Sequence, residues 1–329
     1  MAYRNCDLIL SVREDEKDHD KWLKTRDMGI GGSDAAIILG YSSYKSPYQL
    51  WMEKTGQADP EDLTGNMSVY WGTKNEPAIA NWFQEETGKK VKRLGTLQSR
   101  EYPFMLANID REVCGENAGL EIKTAGISQR EYWQGDNIPD AYYVQCLHYM
   151  AVTGADYWYI AVLIGGNEAV YKRIERNEED VQTLIKAEAK FWELVEAKTP
   201  PEVDNTKSCG EALGWQYRDT AKITVDLPLD ALSILHDMDD AKTLKKELTE
   251  RITGYENELK AMLQDAEAGT VGDYTVTWKP TKPRETVSLS AIKKKAPAIY
   301  RELAEKDLIT IGDSTRRFYY KQAKGDDAE

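Results

Sequence analysis

The chain has 329 residues, 41% hydrophobic and 30% charged, and its 43 basic and 56 acidic side chains leave a formal charge of −13. That length holds a full core plus a second module, no apolar run is long enough to span a bilayer, and the acidic balance argues against a protein that coats DNA with a basic surface, leaving only a local basic stripe for phosphate. Cysteines at 6, 114, 146 and 209 make no Cys-x-x-Cys pair and the first residues lack a basic-then-apolar leader, so zinc, iron–sulfur and secreted disulfide classes drop out and a cytoplasmic protein with free thiols is expected.

In chain order, a polar start leads to a helix predicted over 18–26. Gly29-Ile30-Gly31-Gly32-Ser33-Asp34 then precedes the apolar Ala35-Ala36-Ile37-Ile38-Leu39. Ser33 reads as the N-cap of that helix, and Gly40 ends it. Further helices are predicted over 47–55, stopped by Gly56, and over 69–86, where Ala78, Ile79, Trp82 and Phe83 recur at helical spacing and Gly88 closes the run. Strands are predicted at 90–94, 97–99, 105–110 and 119–124. A helix follows over 142–152, then strands at 156–164 and 168–174 and a helix over 178–197 before Thr199-Pro200-Pro201. Strands embedded among helices in this order give an α/β core with a mixed central sheet flanked by helices, placed in residues 1–208.

Residues 209–329 read as a C-terminal extension. A linker-like segment to 226 leads to a long amphipathic helix over 229–268, in which Leu232, Leu235, Met238, Leu248, Ile252, Tyr255, Leu259 and Met262 approximate a seam. That helix can pair with a partner helix or pack back on its own core. A strand at 273–278, a helix carrying Lys293-Lys294-Lys295 and a strand at 315–321 complete this small α/β tail.

The chemistry concentrates in Asp110-Arg-Glu-Val-Cys-Gly-Glu-Asn-Ala-Gly-Leu-Glu-Ile-Lys123. On a strand Glu121 and Lys123 share one face, and Leu120 and Ile122 take the other. Residues 114–119 have the Gly and Asn content of a hairpin loop, which folds Asp110 back beside Glu121. Two carboxylates in contact repel, so a cation is the natural occupant, and hard oxygen donors suit Mg²⁺ or Mn²⁺. Lys123 is placed to hold a phosphate oxygen or orient a water. The same residues also read as an ordinary hairpin with its polar face in water.

Three other constellations carry paired readings. Arg26, seven residues before Ser33, forms a phosphate clamp with the hydroxyl and the amides behind it, or is a surface arginine near a plain N-cap. Glu76, in Trp71-Gly-Thr-Lys-Asn-Glu-Pro77, is a third carboxylate reaching the metal from a helix, or an acid near a helix break at Pro77. Gln145 and Tyr149 share a helix face; the amide binds water or phosphate beside the metal, or is a half-buried polar residue capping the sheet. His148 has neither a second histidine nor a serine motif and reads as a packing residue.

The Asp…Glu-x-Lys pattern is that of the PD-(D/E)XK nuclease superfamily. The ordered set R-x(6)-S, W-G-x-x-x-E, D…E-x-K and Q-x-x-x-Y, with Gly-Ile-Gly-Gly-Ser-Asp-Ala-Ala and Gly-Leu-Glu-Ile-Lys-Thr, resembles the YqaJ-like viral recombinases, relatives of phage lambda exonuclease, from about Trp22 to Pro201. Ile109 replaces the superfamily's proline. Arg111 stands where many members have glycine, a change expected to alter how the loop meets DNA. The resemblance implies a restriction-endonuclease-like core with two Mg²⁺ or Mn²⁺ ions on Asp110, Glu121 and the Ile122 carbonyl. Lys123 would position the water, Glu76 and Gln145 complete the catalytic site, and Arg26 and Ser33 receive a 5′-phosphate. It further implies a 5′→3′ exonuclease on double-stranded DNA with a free end that leaves a 3′ strand for an annealing protein of the RecT or Bet type. Relatives form toroidal trimers, so a homo-oligomer, in that case a trimer, is implied. A structure-selective endonuclease with the same metal site, and a catalytically silent DNA-binding scaffold, are the competing readings.

Overall fold

A computed structural model describes residues 3–11, 19–219, 221, 223–310 and 318–320. Contacts divide the chain into two compact units, Met1–Arg218 and Asp219–Glu329. The first unit begins with strand β1 (Cys6–Leu10) and helices α1 (His19–Asp27), α2 (Gly32–Ile38), α3 (Pro47–Lys54) and α4 (Met67–Thr87). Strands β2 (Val91–Lys92), β3 (Thr96–Ser99), β4 (Leu106–Asn108), β5 (Arg111–Val113) and β6 (Ala118–Ala125) follow, then a 3₁₀ segment (Ile127–Trp133) and α5 (Asp140–Thr153). Strands β7 (Tyr157–Ile164) and β8 (Glu168–Glu175) lead to α6 (Glu178–Glu196) and α7 (Lys207–Gln216).

The strands form a five-stranded sheet in the order β2-β5-β6-β7-β8 and a three-stranded sheet in the order β1-β3-β4. β6 and β7 are parallel and the other neighbours in the larger sheet antiparallel, so it is mixed. A parallel pair needs a long crossover, which α5 supplies. β4 and β5 are nearly continuous in sequence yet belong to different sheets. The chain changes sheet at Ile109-Asp110.

β6 shows why the sheet lies where it does. Leu120 and Ile122 are buried with Ile79, Ala80 and Phe83 of α4 and with Tyr159 and Ala161 of β7. Burying each such aliphatic side chain is worth about 2 kcal/mol. Across the sheet, Val144, Leu147 and Met150 of α5 pack with Ile160 and Val162 of β7 and with Val181 and Leu184 of α6. A further cluster joins Leu50, Trp51 and Met52 of α3 to Phe191 of α6 and Cys209 and Ala212 of α7. Capping follows the local chemistry. Ser46 accepts from the Gln49 amide ahead of Pro47, and α4 closes on Gly88 in the left-handed region, φ 71°.

The second unit holds α8 (Ala231–Leu263), the antiparallel pair β9 (Ala268–Val271) and β10 (Tyr274–Thr277), and helices α9 (Leu289–Lys295) and α10 (Pro297–Glu305). No described helix is long and apolar enough to cross a membrane.

The structure departs from the sequence reading at several places. β1 was not anticipated, because its partner β3 lies far along the chain. The N-cap of α2 is Gly31, whose amide donates to the Asp34 carboxylate at 3.0 Å; Ser33 sits inside the first turn. Pro77 does not break α4, which runs through it to bury Ile79, Ala80 and Phe83. The expected linker contains α7, whose packing on α3 carries the first unit to Arg218, beyond the 208/209 boundary. The long helix ends at Leu263, and 268–271 is strand. The expected strand at 315–321 falls largely outside the described residues, of which 318–320 are not in a strand.

Candidate active site

Asp110 and Glu121 are brought together by the β5–β6 pairing, in which Arg111 faces Leu120 and Glu112 faces Gly119. One carboxylate oxygen of Asp110 accepts the Ile122 main-chain amide at 2.7 Å. Glu121 is 2% exposed. Its Oε1 meets the Lys123 ammonium at 2.5 Å, and that ammonium also lies 4.9 Å from the centre of the Tyr142 ring. Glu121 Oε2 is buried and has no hydrogen-bond partner.

The electrostatics reflect that crowding. Burial first, and then the charges of Glu121 and Glu76, push Asp110 well above the usual carboxylate range. Burial opposes the charge on Lys123, but Glu121 and Asp110 overcome it and keep the ammonium protonated. Tyr149 and Cys146 are raised by burial and by the same carboxylates, so this face of α5 lies within their field.

Glu76 reaches the site from α4, but its carboxylate is turned to Arg111, which also donates to the Asp110 main-chain oxygen at 2.6 Å. Arg111 is 6% exposed. It therefore lies inside the site, between the Glu76 carboxylate and the Asp110 main chain. A buried guanidinium that ties the Glu76 carboxylate to the Asp110 main chain is the feature that the sequence reading missed; its only signal was an arginine where glycine is common.

Gln145 donates its side-chain amide to the Tyr149 hydroxyl at 2.8 Å, and that hydroxyl donates to the Asn108 carbonyl at 3.0 Å, two residues before Asp110. His148 is wholly buried on the same helix, with Nδ1 on Glu188 and Nε2 on the Leu106 carbonyl, both at 2.8 Å. Its ring joins α5 to α6 and β4.

Arg26 and Ser33 are also adjacent, the guanidinium donating to the hydroxyl at 3.0 Å. The loop between them is pinned by Lys54, which pairs with buried Asp34 at 2.9 Å and donates to the carbonyls of Gly29 and Arg26. Burial works against the Asp34 charge, yet Lys54 and Arg26 hold its carboxyl below the usual range. Gly32 touches the Tyr149 ring so closely that a Cβ there would stand 2.6 Å from it. Tyr149 therefore connects the Arg26–Ser33 pair to Gln145 and, through Asn108, to Asp110.

The donor set fits a divalent cation. Asp110 and Glu121 are hard oxygen donors, the unpartnered Glu121 oxygen is costly to bury as an anion, and the Ile122 main chain runs between Glu121 and Lys123. Among the described residues no three His, Cys, Asp or Glu side chains converge as a ligand cage; Glu76 is held by Arg111 instead. A cleft of about 640 Å³ lined by Arg130, Trp133, Lys172 and Arg173 includes none of these residues.

Comparison with known proteins gives three findings. The profile of the YqaJ-like viral recombinase domain matches residues 21–156. The uncharacterized protein YqaJ of Bacillus subtilis (strain 168) is 36% identical over 297 residues, covering 89% of this chain and 92% of that protein. Among solved structures, the alkaline exonuclease LHK-Exo from Laribacter hongkongensis aligns at 20% identity over 55% of this chain and 94% of its own, with a TM-score of 0.47. A phage-related exonuclease from Haemophilus somnus 129PT aligns at 13% identity over 53% and 98%, with a TM-score of 0.39.

Proposed function

Because the chain belongs to the YqaJ-like viral recombinase family, we propose that it is a metal-dependent 5′→3′ exonuclease that resects double-stranded DNA from a free end. The observation that carries this reading is the pair of carboxylates, Asp110 and Glu121, on adjacent strands, with Lys123 beside them and one buried Glu121 oxygen unpartnered.

Asp110, Glu121 and the Ile122 main-chain carbonyl would hold Mg²⁺, or Mn²⁺ in its place. When bound, such an ion lowers the pKa of a water and stabilises charge on the scissile phosphate and leaving oxygen. Lys123 is kept protonated by its carboxylate neighbours and positioned by Glu121 and the Tyr142 ring. It serves as a point charge for a phosphate oxygen or the attacking water. Gln145, oriented by Tyr149, supplies polar contacts beside it. Arg26 and Ser33 receive the 5′-phosphate, the guanidinium by charge-assisted hydrogen bonds. The product is a 3′ single strand, the substrate of an annealing protein of the RecT or Bet type.

The test is one linear duplex labelled at its 5′ or 3′ end, digested beside its closed circle with and without Mg²⁺. Metal-dependent early release of the 5′ label with the circle intact is expected. Cutting of the circle would move the activity to an endonuclease on the same site. No cleavage with any divalent ion would leave only a binding role.

A further inference from the structure

The helix α8 has 33 residues and buries none of them. Helices are cooperative and marginal in water, and most of their stability in proteins comes from packing an apolar face. Such a face is present. Ile234, Ala241, Leu248, Tyr255 and Met262 recur every seven residues, and Met238, Lys245, Ile252 and Leu259 recur every seven residues between them. Alternating steps of four and three run unbroken from 234 to 262, four heptads with the first set at d and the second at a. Over its C-terminal half the seam is open: Leu248 is 44% exposed, Ile252 57%, Tyr255 56% and Leu259 41%. Tyr320 meets the helix on its flank, at Asp239 and Lys242.

The flanking charges specify the occupant. In a parallel coiled coil each g position faces the e′ position five residues on in the partner helix. For two copies of this chain in register, those pairs are Asp237 with Lys242′, Leu244 with Thr249′, Arg251 with Glu256′ and Glu258 with Leu263′. Both fully charged pairs attract and none repels. An antiparallel pair keeps Lys242 against Glu256′ but sets Asp237 against Glu258′, two carboxylates. The one charged seam residue, Lys245, points the same way. In two strands a lysine at a extends its ammonium past the edge to water, whereas three strands would enclose it.

We infer that α8 is a dimerisation element, forming a parallel, in-register, two-stranded coiled coil with α8 of a second copy of this chain. The inference is independent of the nuclease chemistry.

The experiment is sedimentation equilibrium of the full chain over a concentration series, with Ile252→Lys, Arg251→Glu and Arg251→Glu/Glu256→Arg. Ile252→Lys should halve the mass, α8 being the pairing contact inferred between copies. Arg251→Glu puts a second carboxylate opposite Glu256′ and should weaken association several-fold, and the double reversal should restore it. Circular dichroism and an unchanged first-unit unfolding transition verify that each variant folds. An unchanged mass in Ile252→Lys overturns the inference, a threefold fall replaces the pair by a trimer, and failure of the double reversal to rescue overturns the parallel orientation.

Discussion

Asp110, Glu121 and Lys123 form one electrostatic unit in which the ammonium offsets only part of the carboxylate charge, and Glu76, paired to Arg111, adds to that charge from α4. Asp110→Asn retains an acceptor for the Ile122 amide and removes a like-charge repulsion. It should therefore stabilise the metal-free protein by about 1 kcal/mol while abolishing cleavage, as read by urea denaturation in EDTA beside the digestion assay. Arg111→Gly does the reverse, releasing Glu76 toward two other carboxylates. Breaking this half-buried pair from one side should cost about 1–2 kcal/mol, and Glu76→Gln in the same chain should recover most of it. A double-mutant cycle on metal-free protein measures that coupling, and additive losses would show the pair to be inert. Asp110, Glu121 and Lys123 were legible in the sequence because strand alternation and a short hairpin are local. The Glu76–Arg111 pair was not, because its partners lie on a helix and a strand that meet only through packing of α4 on β6.

At the scale of elements, α5 is the organiser. It presents Tyr142, Gln145 and Tyr149 toward the site from successive turns and stands on His148 from behind. The Q-x-x-x-Y spacing revealed that face, but not that Tyr149 is also the surface against which the glycine loop of α2 closes. Gly32→Ala tests this contact. The added methyl must displace either Tyr149, with its bonds to Gln145 and Asn108, or the start of α2. Overpacking of this kind costs about 2 kcal/mol. Tyr149→Val opens space for the methyl, so the double variant should lose less than the sum of the two single losses in urea denaturation. Full additivity would mean that α2 moves instead. The longer elements were readable because α4, α6 and β7 carry sustained periodicity. β1 is short and gains its stability from a distant partner, and α7 hides in a polar stretch with few apolar residues.

The whole molecule divides after Arg218, and the reason is energetic. Helix α7 buries Cys209 and Ala212 against Trp51 and Phe191. Ser208 accepts the Ser46 amide at 3.0 Å and donates to Gln49 at 2.5 Å, while Tyr48 donates to Gln216 at 2.5 Å. A chain cut after residue 208 loses most of this helix and exposes the cluster around Trp51, whereas a chain cut after 218 keeps both. Lost burial, loss of the Tyr48–Gln216 bond and fraying of the two Ser208 bonds at the new chain end amount to ~4 kcal/mol, a large share of the 5–15 kcal/mol of an ordinary domain. Residues 1–218 should therefore unfold in one cooperative transition, and residues 1–208 at a markedly lower denaturant midpoint with stronger binding of an apolar dye. Equal midpoints would show that α7 adds little to the first unit. If 1–218 also resects linear DNA, Asp219–Glu329 is dispensable for cleavage, and its contribution lies in assembly through α8.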